Sequence, residues 1–364
     1  MDRREFLRTT GAAAAAATAA TAATADVARQ HPSGASGIAA PAVAKGTREL
    51  RLAIESSDSV AGLADQAHRL GQRLAAMSAG RFRIVPVAGA DNGLAAVRAG
   101  TADLYFGSEH DHLGTHPCLA YFAGLPGDRG IAPHNLAAWM LVGGGQALWD
   151  DLAGDFGVKA MLAGHSGSRS LFLATRRVET MSELAGGKVS VVGLAGDVVR
   201  GFGLEPVSVG AADVAGALAR GDILAAERGG AIASHALGLT AAAPYWAGAS
   251  VNRHGSAQSL GMTLALWEGL GAADQAIFTA AAAAELQLAL AEEEAHRRLL
   301  YPEPPADKKW PFARELARAI RRVSDAVVAQ VAGADAQSQR VNAGYVAFRR
   351  LALGDERPPS FETA

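Results

Sequence analysis

The sequence has little of what disulfides, thiolate metal clusters and nucleic-acid interfaces require. It holds one cysteine, Cys118, in 364 residues, which excludes an intramolecular disulfide and a thiolate-rich zinc site. Its 34 lysines and arginines against 36 aspartates and glutamates give a formal net charge of −2, so there is no basic excess for a polyanion. With 19% charged and 49% hydrophobic residues, the chain has enough apolar surface to form a core and is not disordered.

Common catalytic motifs are missing as well. The sequence has no GxGxxG, no Gly-Lys-Ser/Thr phosphate loop and no HExxH. The run Gly-His-Ser-Gly at 164–167 differs by one spacing from a nucleophile elbow. The nearest approach to a metal site is the group His110, Asp111, His112 and His116. We interpret this group as a solvated turn or as the lining of a cleft, and we expect neither catalysis nor a cofactor.

The first residues indicate export from the cytoplasm. Two adjacent arginines, Arg3 and Arg4, precede a weakly hydrophobic, alanine-rich run with a small-x-small cleavage site at its end. This pattern is typical of a twin-arginine signal peptide over residues 1–25, and a disordered basic terminus is the alternative. Residues 26–46 have the composition of a flexible linker. No later run is apolar and long enough to span a bilayer, so we expect a protein that works in the periplasm.

Short β-rich runs alternate with helical patterns from residue 49 onward, which predicts an α/β fold. Strands are predicted over 50–55, 82–87, 103–108, 158–163, 171–175, 188–192, 205–209, 223–228 and 259–266. The stretch 136–156 is predicted as one helix that is kinked or closely packed at its glycines. Two amphipathic helices are expected after the prolines at 302–305.

A local repeat predicts two similar lobes. An alanine-rich helix, a glycine and a strand follow one another at 93–103 and again at 212–227. Two lobes create a cleft, and such clefts are preferred ligand sites. We assign lobe I to 47–165, completed by about 256–300, lobe II to 166–255, and C-terminal helices to 301–364. These helices pack on a lobe or, alternatively, exchange with a second copy in a homodimer.

Five stretches of the body carry a resemblance to a known family: residues 81–107, 137–145, 193–197, 219–229 and 263–270. In their order and spacing they resemble the DctP-type solute receptors of tripartite ATP-independent periplasmic (TRAP) transporters. The similarity is greatest to the branch that binds 2-oxo acids, lactate and related monocarboxylates. The resemblance implies an α/β, two-lobed periplasmic-binding-protein fold joined by crossing strands, with appended C-terminal helices. It also implies a ligand in the cleft, closure on binding, delivery to TRAP membrane subunits and no catalysis.

The family's ligand site is altered in this sequence. The arginine that pairs with the ligand carboxylate in the family corresponds to Ser190, and a glutamine near residue 167 corresponds to Arg169. The glutamate that holds a metal ion in one branch is kept as Glu227. The tryptophan that follows that glutamate in the family is replaced by Arg228.

Two further parts of the site differ. A second acidic ligand, in the stretch after Trp246, corresponds to about Arg253. Tyrosines of a cleft loop in lobe I correspond to the region from His110 to His112. The resemblance therefore identifies cleft positions but does not fix the chemistry at them.

Guanidinium groups thus stand where relatives have neutral or acidic groups, and like charges there oppose a bound cation. We predict that the metal site is lost and that the cleft binds a small organic anion. Arg169 or Arg228 would be the clamp for its carboxylate. Glu227 then orients an arginine or accepts a hydrogen bond from the ligand. The candidate ligand-binding residues are Arg169, Ser190, Glu227, Arg228, Arg253, His110, His112 and Trp246.

Each candidate has a structural alternative. Arg169 and Arg253 would be exposed residues at a strand start or in a loop, and Arg228 would form a salt bridge with Glu227 or Asp222. For the whole chain, one alternative is a binding protein of the same fold that serves sensing or another partner. The other is an exported α/β enzyme that uses the histidine cluster or Glu227.

Overall fold

A computed structural model describes residues 46–55, 62–87, 92–167, 172–300 and 305–353. The predicted signal peptide, almost all of the predicted linker and Arg169 lie outside these described residues. Within them the fold is α/β, and the strands form two five-stranded sheets. The strands are β1 Arg48–Ile54, β2 Phe82–Val87, β3 Leu104–Gly107, β4 Val158–His165, β5 Leu173–Ala174, β6 Lys188–Ser190, β7 Glu205–Pro206, β8 Ala225–Ala226, β9 Tyr245–Trp246 and β10 Ala257–Thr263.

The two sheets share one topology. The first has the order β2-β1-β3-β10-β4 and the second the order β7-β6-β8-β5-β9. In the first, β1 runs parallel to β2 and β3, while β10 is antiparallel to β3 and β4. In the second, β6 runs parallel to β7 and β8, while β5 is antiparallel to β8 and β9. In each sheet, four strands therefore run in one direction and the fourth strand in the order, β10 or β5, runs opposite to them. Two similar lobes are expected to share such an arrangement.

Helices cover both sheets and extend beyond them at the C-terminus. They are α1 Leu63–Met77, α2 Gly93–Arg98, α3 Ala120–Ala123, α4 Pro133–Leu141, α5 Gly145–Gly154, α6 Ala195–Arg200, α7 Val214–Arg220, α8 Ala231–Ala236, α9 Leu239–Ala242, α10 Leu264–Glu268, α11 Ala272–Leu300, α12 Ala313–Ala332 and α13 Ala336–Leu353. None of these described helices combines the length and the apolar character that a bilayer crossing needs. The sequence repeat corresponds to α2–β3 in the first sheet and to α7–β8 in the second.

Each sheet has an apolar core on both of its faces. The first sheet lies between a cluster that includes Trp139 and Trp149 and a second cluster that includes Phe82 and Phe278. The second sheet lies between a cluster around Phe172 and a smaller one that includes Leu173, Val214 and Leu218. Both faces of each sheet are thus removed from water, as is expected for sheets with parallel strands.

The chain passes between the lobes where β4 leads to β5 and where β9 leads to β10. The second connection is fixed by Glu227, whose buried carboxylate accepts hydrogen bonds from the backbone N–H groups of Val251 (2.8 Å) and Asn252 (2.6 Å). The described residues from Gly46 onward belong to one compact unit. The positions of the lobes around the space between them are therefore held by specific hydrogen bonds.

The stretch 136–156 is two helices, α4 and α5, rather than the single predicted helix. Gly144 has φ +84°, a left-handed conformation that ends α4 and begins α5. A Cβ on Gly143 would lie 2.5 Å from the Phe348 ring, and one on Gly145 would lie 2.7 Å from the Trp139 indole. The glycines are thus placed by close packing against distant side chains, which local periodicity does not encode.

Candidate functional site

A cavity of about 480 Å³ lies between the two sheets. It is bounded by the ends of β3 and β4 and the start of β10 on one side, and by the chain after β6 and β8 on the other. The helices α1, α8 and α11 complete its wall. The carboxyl ends of parallel strands at the meeting point of two lobes are where α/β proteins commonly bind ligands.

Arg228, two residues after the end of β8, is a positively charged residue of the cavity wall. Arg69, which also lines the cavity, pairs with Glu285 and Glu292. The Nη2 of Arg228 donates a hydrogen bond to Ser190 Oγ at 2.7 Å and another to the carbonyl oxygen of Val209. Among the described residues, its Nε has no hydrogen-bond partner. The two bonds at Nη2 orient the guanidinium, and Nη1, for which the described residues provide no hydrogen bond, is the donor available to a ligand.

Burial and a neighbouring acid act on Arg228 in opposite directions. Desolvation lowers the pKa of its guanidinium from the usual value, and the charge of Asp111 opposes that shift. The group stays charged, because the pKa of an arginine lies far above neutral pH. A partly buried cation fixed in this way attracts an anionic group into the cavity.

Ser190 and Glu227 contribute to this arrangement indirectly. Ser190 is fully buried at the end of β6 and orients Arg228. Glu227 is fully buried and binds the connection that leads to β10. Asp222, the expected alternative partner of Arg228, pairs with Arg220 at 2.8 Å. Neither Ser190 nor Glu227 is among the cavity-lining residues.

His110 lines the cavity from the 3₁₀ turn Glu109–His112 that follows β3. Its side chain is buried, and neither ring nitrogen has a hydrogen-bond partner among the described residues. Burial lowers the pKa of His110 to about 4, against the opposing charge of Glu109. A neutral imidazole at the cavity therefore offers one donor and one acceptor that the protein itself does not satisfy.

His112 lies in the core of lobe I and is not among the cavity-lining residues. Its Nε2 is 2.5 Å from Glu55 Oε1, and its Nδ1 is 2.9 Å from Glu109 Oε2. Both carboxylates oppose the effect of burial and raise the pKa of His112 to about 10. The residue is an imidazolium that fixes the turn carrying His110 and Asp111.

Arg253 and Trp246 also lie away from the cavity lining. Arg253 Nη1 forms an ion pair with Asp128 Oδ1 at 3.0 Å and is partly buried, so it differs from the exposed loop residue of its structural alternative. Trp246 packs against the smaller core cluster of lobe II. Its carbonyl oxygen accepts a hydrogen bond from the backbone N–H of Trp310 at 3.2 Å. Both residues fix surrounding segments in this structure.

Several polar residues of the cavity wall were not among the sequence candidates. Asp111 follows His110 in the same turn, Gln66 comes from α1, His165 ends β4, and Gln258 lies at a β-bulge of β10. Burial lowers the pKa of His165 to about 3, so its imidazole is neutral. The motif at 164–167 and the histidine cluster drew attention to two of these positions, but no local signal marks Gln66 or Gln258.

Glu293 connects the lobes at the other end of the cavity. It is buried on α11, and its carboxylate accepts hydrogen bonds from the backbone N–H groups of Ala231 and Ile232 (3.2 Å for Ile232), at the start of α8. Burial raises the pKa of Glu293 despite these two bonds. The glutamate thus joins a helix that packs on the first sheet to one that follows the second.

The residues around Glu227 do not suit a cation. Both oxygens of Glu227 accept backbone hydrogen bonds, and the next residue places a guanidinium at the cavity. In the part of the chain that the structure describes, no three His, Cys, Asp or Glu side chains form a group that could hold a metal ion. A hard cation needs several oxygen ligands, and the arginine repels it.

Comparisons with known proteins identify the family. The profile of the bacterial extracellular solute-binding proteins of family 7 (DctP) matches residues 65–301. A monocarboxylate 2-oxoacid-binding periplasmic protein from a Nostoc species is 29% identical over 294 residues, which cover 78% of this chain and 79% of the relative. The similarity therefore extends over most of both proteins.

Solved structures show the same fold. A TRAP transporter solute-binding protein from Bordetella bronchiseptica, with co-purified calcium and picolinate, has a TM-score of 0.76 at 23% identity and covers 85% of this chain and 93% of that one. One from Pseudoalteromonas atlantica, with bound sodium and pyruvate, has a TM-score of 0.73 at 20% identity and covers 84% and 95%. The family profile spans both lobes, and the chain therefore belongs to the bacterial extracellular solute-binding proteins of family 7, a family of binding proteins rather than enzymes.

Proposed function

We propose that this protein is the periplasmic receptor of a TRAP transporter and binds a small organic carboxylate at Arg228, without a metal ion. The observation that carries the proposal is the guanidinium of Arg228, which is held at the cavity by Ser190 through Nη2 while the described residues leave its Nη1 without a hydrogen bond. A hydrogen bond from a guanidinium to a carboxylate is charge-assisted and among the strong ones. The name of the Nostoc relative, a monocarboxylate 2-oxoacid-binding protein, supports this ligand class.

Ligand capture then follows from the two-lobed architecture. The carboxylate binds Arg228 of lobe II, while the unsatisfied imidazole of His110 from lobe I contacts the same ligand. A ligand that touches both lobes favours the closed arrangement over an open one by its differential affinity. The closed receptor then delivers the ligand to TRAP membrane subunits.

The remaining parts of the proposal concern export and assembly. A twin-arginine signal peptide at 1–25 brings the folded protein to the periplasm, and cleavage after residue 25 of the secreted chain tests this. Arg169, three residues after the cavity-lining Ser166 in sequence, is a second candidate clamp. A homodimer through the C-terminal helices is tested by light scattering on the intact chain.

Thermal unfolding of the mature protein with mono- and dicarboxylates tests the proposed ligand class. A ligand at about one hundred times its Kd adds about 2.7 kcal/mol to the free energy of unfolding, which raises Tm measurably. We expect a carboxylate to raise Tm in the presence of a chelator, and Arg228→Ala to abolish the rise. Arg220→Ala is the matched control, because Arg220 is an exposed arginine of the same lobe that pairs with Asp222.

Two results would contradict the proposal. A rise in Tm that needs added calcium or sodium would contradict the metal-free site. A rise that survives in Arg228→Ala and disappears in Arg169→Ala would place the carboxylate clamp at Arg169 instead.

A further inference from the structure

Asp111 lies in the same cavity as Arg228, and the described part of the chain gives its carboxylate no partner. Its side chain is exposed to the cavity, and the charges of Asp111 and Arg228 influence each other. Yet the described residues provide no hydrogen bond to its carboxylate and no ion pair within 4 Å. Two opposite charges therefore share one cavity without neutralising each other by contact.

Without a ligand, the surroundings of Asp111 make the charge of its carboxylate unfavourable. Protein around the side chain removes much of the bulk water although the carboxylate itself is accessible. This desolvation, together with the charge of Glu55, raises the pKa of Asp111 to about 6. The group remains mainly ionised at neutral pH, and a partly desolvated carboxylate without a partner is unfavourable. A donor group on the ligand would remove that penalty.

Much of the rest of the cavity wall is apolar. Its other arginine and acidic side chains contact protein groups: Arg69 pairs with Glu292 at 2.9 Å, Asp65 accepts a hydrogen bond from the N–H of Gly62, and Glu293 accepts two from the start of α8. The cavity volume of about 480 Å³ falls in the range of small-molecule binding sites. The apolar side chains come mainly from α1, α8 and α11, and they include Leu63, Ile232, Ala289 and Leu300. The space beyond the two charged groups therefore suits a hydrocarbon side chain.

We propose that the ligand is a 2-amino acid with an apolar side chain, whose ammonium group binds Asp111 while its carboxylate binds Arg228. The inference rests on the proposed function, because it takes the carboxylate at Arg228 as given. A zwitterion supplies one opposite charge to each residue, so closure of the lobes buries two satisfied ion pairs and no net charge. A 2-oxo acid would leave Asp111 without a partner and bring a carbonyl oxygen towards it.

A matched series of ligands tests the proposal by calorimetric titration at pH 7.5. Leucine, 2-hydroxy-4-methylpentanoate and 4-methyl-2-oxopentanoate share one side chain and one carboxylate, and they differ only at the second carbon. We expect leucine to bind at least about tenfold more tightly than the oxo acid, since a hydrogen bond between charged groups is worth this much. The hydroxy acid, which donates a neutral hydrogen bond, should lie between them.

Variants separate the two charged residues. Asp111→Asn should abolish the preference for leucine over the oxo acid and leave binding of the oxo acid at least as tight. Asp222→Asn, which alters a surface carboxylate paired with Arg220, should leave the preference unchanged. Far-ultraviolet circular dichroism of Asp111→Asn checks that the variant is folded.

The outcomes distinguish this inference from the proposed function. If the oxo acid binds as tightly as leucine or more tightly, and Asp111→Asn changes nothing, the inference is wrong and the carboxylate receptor stands. If none of the three acids binds, or if binding does not depend on Arg228, the proposed function is wrong and the inference fails with it.

Discussion

His112 is a buried residue whose two ring nitrogens each contact a carboxylate. Its Nε2 lies 2.5 Å from Glu55 Oε1 and its Nδ1 lies 2.9 Å from Glu109 Oε2. Tyr105 Oη donates a further hydrogen bond to Glu109 at 2.8 Å. Two acids thus share one imidazolium, and removal of this cation would leave both carboxylates buried without a counter-charge. The cluster fixes the 3₁₀ turn that presents His110 and Asp111 to the cavity.

The stability of the protein should therefore decrease as the pH rises. The pKa of His112 is raised to about 10 in the folded state, against about 6.5 in an unfolded chain. Its contribution is fully present below about pH 6.5 and is lost as the pH rises towards 10. We expect His112→Gln to lower the free energy of unfolding by about 3–5 kcal/mol at pH 6, and by much less at pH 9.5.

Urea unfolding of both proteins at the two pH values measures this difference. His68→Gln, on the solvent-exposed part of α1, is a control for the loss of a histidine. An effect of His112→Gln that has the same size at pH 6 and pH 9.5 would mean that His112 is neutral in the folded protein.

The sequence identified some residues that line the cavity, but it did not predict which candidates form ion pairs elsewhere. Arg228 and His110, inferred from the family resemblance, both line the cavity. His112 and Arg253 belong to ion pairs outside it. His110 and His112 lie in one short turn, but His110 faces the cavity and His112 is buried between carboxylates. Sequence spacing cannot reveal which of the two faces the cleft. That the described residues give the carboxylate of Asp111 no partner follows only from the folded structure.

At the scale of elements, the turn after β6 in lobe II packs against the histidine turn of lobe I beside the cavity. Gly193 in this turn has φ +61°, and a Cβ there would lie 2.1 Å from His110 Nδ1. The glycine belongs to lobe II and the histidine to the turn after β3 in lobe I. The absence of a side chain at this position is thus a condition for the observed closeness of the lobes.

Gly193→Ala should destabilise the protein more than a left-handed backbone alone explains. A Cβ in the left-handed region costs about 1–2 kcal/mol, and overpacking against His110 adds about 1–3 kcal/mol. Gly221→Ala is the matched control, because Gly221 has φ +76° but nothing within 4 Å of its Cβ position. Chemical denaturation compares the two variants, and the extra loss in Gly193→Ala should disappear when the substitution is made together with His110→Ala.

Equal losses in Gly193→Ala and Gly221→Ala would mean that the lobes separate enough to avoid the clash. Small-angle scattering would then show a larger radius of gyration for Gly193→Ala than for the control.

Long strands were predictable from the local sequence pattern, whereas short strands depend on pairing with other strands. The alternation of β-rich runs and helices predicted β1, β2, β4 and β10 near their observed bounds. The two-residue strand β9 was missed, because its pairing with β5 is made by tertiary contacts rather than by local propensity. The close packing expected at the glycines of 136–156 is observed against distant aromatic rings, but that these glycines separate two helices, α4 and α5, was not predicted.

At the scale of the whole molecule, α12 connects the cores of the two lobes. Leu316 and Ile320, in its first half, belong to the core cluster around Phe172 in lobe II. Val328 and Val331, in its last turns, belong to the cluster of lobe I. The amphipathic pattern in the sequence predicted a single apolar stripe on this helix. It did not predict that the two halves of the stripe would be buried in different lobes.

A helix shared by both cores should make the lobes unfold together. Leu316 is 1% exposed, and we expect Leu316→Ala to lower the free energy of unfolding by about 2–5 kcal/mol. Leu351, 87% exposed on α13, provides the control, and Leu351→Ala should change it by less than about 0.5 kcal/mol. Calorimetry should show one transition in both variants, shifted in Leu316→Ala alone. A split transition, with one part at the wild-type temperature, would show instead that lobe I is stable without the contacts that α12 makes in lobe II.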